Sequence, residues 1–569
     1  MVSCDGITSF LDKPPGVDLD EDVVFSSRTD FQAFVTAMYR VGVHSQLAMH
    51  NQSGSQQNSP NVNPTGSGYF SKSTMTDEGR GQAGWGEYIH WTAGTTNINQ
   101  AVWMDNRYHR RWQAIKKVNV LLERIEEVPG LSQSEIDQFK AEALFIRALN
   151  YFEMMKRYGG MPIVKTRLSA EQLLQEPHGR ATIEEMVDFI VGDIDHAVLH
   201  LPDEQPSNWR GRATKGAALM VKAKTLLTAA SPQFNTNSPY LDLGDYNEMI
   251  IYGNYDVNRW QLAADAAKEV IDWADEGWAR IIDEHGPDQN YKYVWETPNN
   301  DEVIFDNKMA GPRAWWQYPW LGLLPTQIGW GNGGTSVNFQ FKQKYEKRDG
   351  TPQEWDIDGG DDLLEKYAEL DYRFHQTYFY HGSRWNDNYP LVQTHQGGAF
   401  GWWQTGNFGG AWNRKFIPDN LIETTSPIPN NIIYRLADAY LMYAEALNEA
   451  RGPVQEAYGA VNIIRNRSGQ PDLPAGLSQD EFRDRVRNER AIELAFEDNR
   501  FWDIRRWLIA HENEVGFTML GIQIRRIQEG KFSYTPYIHQ QRVFHMKQYL
   551  HPFLQNELDK GYLVQNPGW

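Results

Sequence analysis

The sequence of 569 residues contains only one cysteine, Cys4, near its beginning. A lone thiol has no partner for an internal disulfide, and a zinc site built from several cysteines is excluded. The residues that follow, up to Pro14 and Pro15, form a polar stretch broken by proline and glycine, which is typical of a tether. Position alone leaves two interpretations open: an attachment point ahead of a flexible leader, or a stray free cysteine.

Long apolar runs are also missing. No stretch approaches the roughly 18 apolar residues that cross a bilayer, so we expect no membrane-spanning helix, although anchoring remains compatible with the sequence. Residues 1–3 lack the charged and apolar regions of a signal peptide. Either the protein is cytosolic, or an export signal has been removed and the chain starts near its mature end.

Positive charge is in deficit, with 55 Lys and Arg against 74 Asp and Glu, a formal net charge of −19. Phosphate backbones require clustered cations, so this balance argues against a nucleic-acid partner. It also argues against adsorption to anionic membranes through a basic patch. The hydrophobic share of 41% and charged share of 23% are typical of a folded globular protein.

Aromatic residues, in contrast, are abundant at 13%, including 21 Trp and 27 Tyr. They can serve as large side chains in helix-packing cores. They can also form stacking platforms for a ligand with flat apolar faces, such as a sugar ring.

Apolar residues recur at spacings of three and four in separate blocks, which predicts amphipathic helices. The predicted helices span residues 107–125, 134–158, 182–201, 214–230, 260–274, 432–450, 454–467 and 480–509. Paired helices in blocks of about 35–45 residues are typical of helical repeats such as tetratricopeptides. We therefore expect a mostly α fold on a tetratricopeptide-like scaffold.

Helical periodicity fades between about residues 277 and 430, where Gly, Asn, Trp and Pro become frequent. We predict irregular loops over residues 299–313, 329–334 and 397–410. Long loops inside a compact protein are usually functional. This region and the Gly/Asn-rich residues 51–94 are therefore where we expect a binding surface.

Signatures of catalysis and of metal binding are missing. There is no His-Glu-x-x-His, no phosphate-binding loop and no Gly-x-Ser-x-Gly, and the 15 His do not cluster at ligand spacing. The acidic run over residues 356–362 lacks the Gly and Glu positions of a calcium loop, which favours a solvated turn. We expect no catalytic residue, no cofactor and no metal ion.

The segment ERAIELAFEDNRFWDIRRW, residues 489–507, places charged side chains at spacings of three and four. On one helix they would form an ion-pair ladder along a single face, in which each exposed pair contributes little. Arginine neighbours lower carboxylate pKa values, the wrong direction for a general acid near neutrality. A structural network is therefore favoured over catalysis. The four residues are Arg490, Glu493, Glu497 and Arg500.

That segment is one of five separated motifs, the others being AEALFIRALNYF with RYGGMP (141–162), ASPQFN (230–235), LADAYLMYAEALNE with VNIIRNR (436–467) and QNPGW (565–569). This set, in this order, closely resembles the SusD/RagB family of surface glycan-binding lipoproteins over the whole chain. The resemblance implies a lipid-anchor tether over residues 1–18 and an N-terminal SusD-like helical region over 19–230. A C-terminal RagB/SusD region over 231–569 would carry the loop-rich insert at about 277–430.

Family members bind glycan with aromatic residues on loops from both halves and with an early segment bearing Asp and Arg. TMTDEGR at residues 74–80 resembles that segment. The resemblance therefore implies five ligand-binding residues: Asp77, Arg80 and Trp91 from the first half, and Trp315 and Trp316 from the second.

The same resemblance implies a non-catalytic, surface-exposed lipoprotein of the outer membrane that delivers oligosaccharides to a SusC-like TonB-dependent transporter. Members carry a lipid-modified cysteine just after a small-residue cleavage site, and Ser3 with Cys4 fits such a site. Several acyl chains on Cys4 would anchor the chain without a spanning helix.

Two other functions remain alternatives. A secreted glycoside hydrolase on a helical scaffold would need two carboxylates about 5–10 Å apart in a Trp-lined cleft. Asp77, Glu78 and Asp387 are the candidates, although the sequence does not pair them. A weaker alternative is a scaffold whose helical repeats bind only protein.

Overall fold

The helices of the computed structural model account for most of its regular structure. The model describes residues 21–43, 72–81, 87–100, 107–168, 179–308, 335–401, 407–420 and 430–569. The α-helices are α1 Glu21–Ser26, α2 Arg28–Gly42, α3 Glu87–Thr92, α4 Tyr108–Arg124, α5 Gln133–Tyr158, α6 Ile183–Val198, α7 Lys215–Ala230, α8 Asn258–Trp273, α9 Asn290–Glu296, α10 Phe339–Lys342, α11 Leu363–Ala368, α12 Tyr372–Thr377, α13 Leu436–Arg451, α14 Gln455–Arg467, α15 Gln479–Glu493, α16 Arg500–Arg506 and α17 Gln555–Leu558.

The long helices stack in order along the chain. Contacts link α2 to α4, then α4 to α5, α5 to α6, α6 to α7 and α7 to α8. The stack then passes from α8 directly to α13, which contacts α14 and α15. One hydrophobic core runs through this stack, and Ile304 and Phe305, from the residues between α8 and α13, join it. The predicted boundary at residue 230 stays a prediction, and α7 and α8 pack on each other across it.

Local signals set the helix ends where the sequence predicts them. Helix α5 begins after Ser132, whose side chain accepts from the Glu135 amide while Glu135 bonds back to the cap, a complete capping box. It ends at Gly159, whose φ of 75° favours glycine. Helices α6 and α7 begin after Thr182 and Thr214, which cap them in the same way through their hydroxyls.

Within the described ranges, the strands form three antiparallel sheets. Their bounds are β1 Gly79–Gly81, β2 Val303–Asp306, β3 Thr335–Val337, β4 Tyr378–Tyr380, β5 Ala411–Asn413, β6 Ile432–Arg435, β7 Thr518–Gln528 and β8 Lys531–Gln541. The largest sheet has the order β1-β3-β5-β4, while β2 pairs with β6 and β7 with β8. Two smaller cores support this region, one around Trp295, Trp385 and Trp412 and one around Tyr345 and Phe374.

Two predicted helices are wrong in part. The first four residues of the block 432–450 form strand β6, and helix α13 starts only at Leu436. The block 480–509 is two helices, α15 and α16, joined by a turn in which Phe496 and Asp498 adopt positive φ angles of 59° and 63°. Such angles interrupt any α-helix, so the charged side chains of the segment do not share one face.

These charged side chains point in different directions and are all buried. Arg490 pairs with Asp438 on α13 and Asp503 on α16, at 3.0 and 3.2 Å. Glu497 pairs with Arg435 at 2.7 Å. Arg500 instead reaches the N-terminal half of the chain. The expected pairing with arginine is confirmed, but as buried connections between elements instead of an exposed ladder.

Glu493 is the centre of the largest of these buried networks. Its carboxylate contacts Arg435 at 2.6 Å, Arg373 at 3.0 Å, and also Arg467. Burial alone raises the pKa of Glu493, but these three guanidinium groups outweigh burial and hold that pKa well below its ordinary value. Glu302 joins the network by pairing with Arg435 and Arg467, so α14, α15, β6 and the segment between α9 and β2 share one electrostatic junction.

The ASPQFN motif contacts helix α16. The Arg506 guanidinium donates to the Ser231 hydroxyl at 3.0 Å, and the Gln233 amide donates to the Arg506 carbonyl.

No helix among the residues described combines the length and apolar character needed to cross a membrane.

Candidate ligand-binding site

The segment predicted to bear the ligand-binding Asp and Arg lies at the edge of the four-stranded sheet. A 3₁₀ turn over Lys72–Met75 leads into β1, which pairs with β3 so that Gly79 faces Val337 and Gly81 faces Thr335. A side chain at Gly79 would place its Cβ 2.6 Å from the Thr335 methyl carbon and 2.9 Å from the Ser336 carbonyl oxygen. Glycine at this position therefore allows β1 to approach β3.

Asp77 is buried, with an exposed fraction of 1%. Both of its oxygens accept from the Arg500 guanidinium at 2.8 Å, a bidentate pair between the N-terminal half and helix α16. Burial by itself raises the pKa of Asp77, but the charge and hydrogen bonds of Arg500 outweigh it and leave the pKa lowered. Because Asp77 is buried and both of its oxygens are directed to Arg500, we interpret its role as structural.

Glu78 is buried next to it and accepts from the Phe496 amide at 2.7 Å. Burial is the largest influence on this carboxyl and raises the pKa of Glu78 to about 8. This hydrogen bond, between residues 418 positions apart, satisfies the Phe496 amide outside a helix and so stabilises the turn after α15. Asp387, the third hydrolase candidate, is 98% exposed at its side chain and pairs with Arg384.

Trp91, on α3, is also buried, with an exposed fraction of 3%. Its ring packs against Phe501 and His551 at centroid distances of 5.8 and 5.4 Å, and the Arg505 guanidinium lies over it. Since the side chain is buried among these neighbours, a pyranose has no access to this ring. We therefore place Trp91 in the core behind the predicted site.

Among the three predicted ligand residues that the structure describes, Arg80 is the accessible one. It projects from β1, is partly exposed, and lies over the Phe408 ring with 4.4 Å from the guanidinium carbon to the centroid. His539 also stacks on Phe408, with the two ring centroids 5.3 Å apart. Phe408 and His539 were not predicted from the sequence, because residues 408 and 539 carry no periodic or motif signal.

Trp315 and Trp316 lie outside the described residues, as does Cys4. What the structure describes is the ends of the segments that carry the loop tryptophans. Gly81 and Thr335 are paired in the sheet. Gly81 directly precedes the segment 82–86, and Thr335 directly follows the segment 309–334. Asn407, which follows the segment 402–406, shares a hydrogen bond with the Ser336 hydroxyl at 3.3 Å.

Described residues that border three Trp-bearing segments, residues 82–86, 309–334 and 402–406, therefore lie together at strands β1 and β3. The three segments contain seven of the 21 tryptophans. Trp85, Trp330 and Trp403 each lie within five positions of the three anchoring residues. Of the tryptophans in the described part of the chain, only Trp278 is an exposed one.

Gly409, two residues after Asn407, packs directly against strand β3. Its Cα lies so near the Val337 carbonyl that a Cβ would fall 1.4 Å from that oxygen, and its amide donates to Ser336 at 3.1 Å. Only glycine fits there, which holds residues 407–409 against β3. No group of three or more His, Cys, Asp or Glu within the described ranges is arranged to hold a metal ion.

Two family models match this chain, one described as the SusD family over residues 301–569 and one described as starch-binding and associating with the outer membrane over residues 9–227. A SusD-like protein of Formosa agariphila is 24% identical over 523 residues, covering 89% of this chain and 88% of that protein. A SusD-like protein of Bacteroides ovatus is 23% identical, covering 88% and 79%.

Solved structures agree in fold. A SusD-like protein of Bacteroides fragilis superposes with a TM-score of 0.76 at 24% identity, covering 98% of this chain and all of that one. A laminarin-binding SusD-like protein superposes with a TM-score of 0.59 at 18% identity, covering 96% and 100%. The chain belongs to the SusD/RagB family. The predicted mostly α, tetratricopeptide-like fold is confirmed.

Proposed function

We propose that this protein binds a polysaccharide or oligosaccharide at the cell surface, without catalysing a reaction on it. The observation that carries the proposal is that Gly81, Thr335 and Asn407, which each border a Trp-bearing segment, lie together beside Arg80. An exposed Trp plane presents its π face to the axial C–H groups of a pyranose, and several such planes can follow a glycan chain. The membership in a family with starch-binding and laminarin-binding members supports this choice.

Trp315 and Trp316 are proposed as contacts with the glycan, together with Arg80. Replacing either tryptophan by alanine is expected to weaken binding by about tenfold, or ~1.4 kcal/mol, because a stacking plane is lost. Affinity electrophoresis in gels containing polysaccharide measures this as faster migration. Trp278→Ala is the matched control, since Trp278 is 44% exposed but lies far along the chain from the three segments. Unchanged retention of both loop variants would refute the assignment.

The hydrolase alternative is less well supported by the positions of its candidate carboxylates. Asp77 is engaged with Arg500 and Glu78 with the Phe496 amide, both in the interior. Incubating the protein with a glycan that it binds separates the two functions. We expect no new reducing ends, whereas their release would favour the hydrolase.

We further propose that Cys4 carries lipid in the precursor and that the protein delivers its glycan to a SusC-like TonB-dependent transporter. Each buried CH₂ contributes about 0.8 kcal/mol, so more than one acyl chain anchors stably. Expression of a Cys4→Ala precursor is expected to move the protein from the outer-membrane fraction to the soluble fraction. Its continued fractionation with outer membranes would count against lipidation. Co-purification of the wild-type protein with the transporter tests the partner.

A further inference from the structure

Arg80 has no negative partner in the part of the chain that the structure describes. Burial lowers the pKa of Arg80, and the phenols of Tyr88 and Tyr537 oppose that shift. Its guanidinium is held by stacking on Phe408. A guanidinium that lies flat on an aromatic ring keeps its N–H donors in its own plane, available to an acceptor at the side.

A second cation lies close behind it. Arg542 is buried and donates to the carbonyls of Thr76 and Gly79 at 2.7 and 2.9 Å, which fixes the strand that carries Arg80. Burial, followed by repulsion from Arg80, lowers the pKa of Arg542 to about 9. Both arginines are therefore charged at neutral pH, and they repel each other.

The remaining titratable groups around this pair do not neutralise it. Burial, with the charges of Arg542 and Arg80, lowers the pKa of His539 to about 3, so that imidazole is neutral at pH 7. Asp77 acts on Arg542 from a distance, but both of its oxygens are bound to Arg500. The uncompensated positive charge is therefore concentrated at Arg80, the more accessible arginine.

Several other buried arginines do have carboxylate partners. The chain has a net charge of −19, and Arg435 pairs with Glu302, Glu493 and Glu497, whereas Arg180 and Arg505 are buried and donate to backbone carbonyls. A desolvated guanidinium without a counter-ion loses hydration and gains no pair in return. An anion that reaches Arg80 would recover that loss, and screening limits repulsion from distant carboxylates to about 10 Å.

We propose that Arg80 binds an anionic group carried by the glycan, a uronate carboxylate or a sulfate ester, so that the ligand is an acidic saccharide. This inference rests on the proposed glycan-binding function and names the ligand class of the same site. The planar fork of Arg80 suits two oxygens of either group, and Phe408 holds the fork in position. The Arg542 charge adds attraction without direct contact.

Binding of size-matched neutral, uronate-containing and sulfated oligosaccharides to the whole protein tests the proposal by isothermal titration calorimetry. The wild type is expected to prefer one of the acidic sets over the neutral set by at least about tenfold, and the better of the two acidic sets identifies the anion. Arg80→Gln is expected to remove that preference. Arg80→Lys, which keeps the charge but not the fork, is expected to retain part of it. Arg525→Gln is the control, since Arg525 is exposed on β7.

Increasing salt should weaken the acidic ligands and leave the neutral ones unchanged. Equal binding of neutral and acidic sets by the wild type, or a preference that survives Arg80→Gln, would overturn the anionic-ligand inference while leaving glycan binding intact. Absence of binding to every oligosaccharide in the three sets would instead overturn the proposed function. Near-ultraviolet circular dichroism confirms that the Arg80 variants are folded.

Discussion

Replacing Glu493 by alanine is expected to lower the free energy of unfolding by about 3–5 kcal/mol, the usual cost of removing one partner from a buried ion pair. Glu493 is fully enclosed and contacts Arg435, Arg373 and Arg467. Without its carboxylate, three guanidinium groups face one another with less negative charge between them. Urea unfolding followed by circular dichroism measures the change.

The matched control is Glu284→Ala. Glu284 also pairs with an arginine, Arg280, at 2.6 Å, but both side chains are largely exposed. Solvent screens such a pair, and we expect little change in stability. Glu493→Gln, which keeps the shape and one acceptor oxygen, should fall between the two. Equal stability of Glu493→Ala and Glu284→Ala would contradict the central role of Glu493.

The pH dependence gives an independent check. Because the folded-state pKa of Glu493 is held below the unfolded value of about 4.3, its contribution to stability is present above that value. It is lost as the pH falls toward the folded-state pKa. The difference in unfolding free energy between wild type and Glu493→Ala should therefore be largest near neutrality and smaller in acid.

The helical stack was predictable from the sequence because its signals are local. Ser132, Thr182 and Thr214 cap helices through contacts within three residues, and Gly159 ends one through its own backbone. The break between α15 and α16 was not predictable, because a helical apolar pattern continues through it. The groups that overrule that pattern are distant: Glu78 binds the Phe496 amide, and Arg435 binds the Glu497 carboxylate.

The candidate site shows the same division. Sequence reasoning identified the segment around Asp77 and Arg80, but it assigned both residues to the ligand. The partner that removes Asp77 from the surface, Arg500, lies 423 positions away, and Phe408 reaches Arg80 through a sheet formed from distant strands. The residue types therefore indicated a polar contact with the ligand, whereas burial in the fold determines that Arg80, and not Asp77, is accessible to a ligand.

Asp77→Ala is expected to cost about 3–5 kcal/mol of unfolding free energy, because it leaves the Arg500 guanidinium buried without its bidentate partner. Lys344, 3.9 Å from the same carboxylate, loses its neighbour as well. The control is Asp387→Ala, which removes an exposed carboxylate paired with Arg384 and should leave stability unchanged within about 0.5 kcal/mol. Thermal and urea unfolding both report the difference.

A double-mutant cycle separates a structural role from a ligand-binding role. If Asp77 acts through Arg500, the variant carrying Asp77→Ala and Arg500→Ala is destabilised by less than the two single changes together, since no unpaired charge remains. The pKa of Asp77 is lowered in the folded state, so the cost of Asp77→Ala should also shrink as the pH falls below about 4. A different result would return Asp77 to direct contact with the ligand. In that result the two changes add without coupling, and Asp77→Ala keeps its stability but loses glycan retention. The burial and bidentate geometry of Asp77 lead us to expect the first result, with Arg80 as the charged contact of this segment.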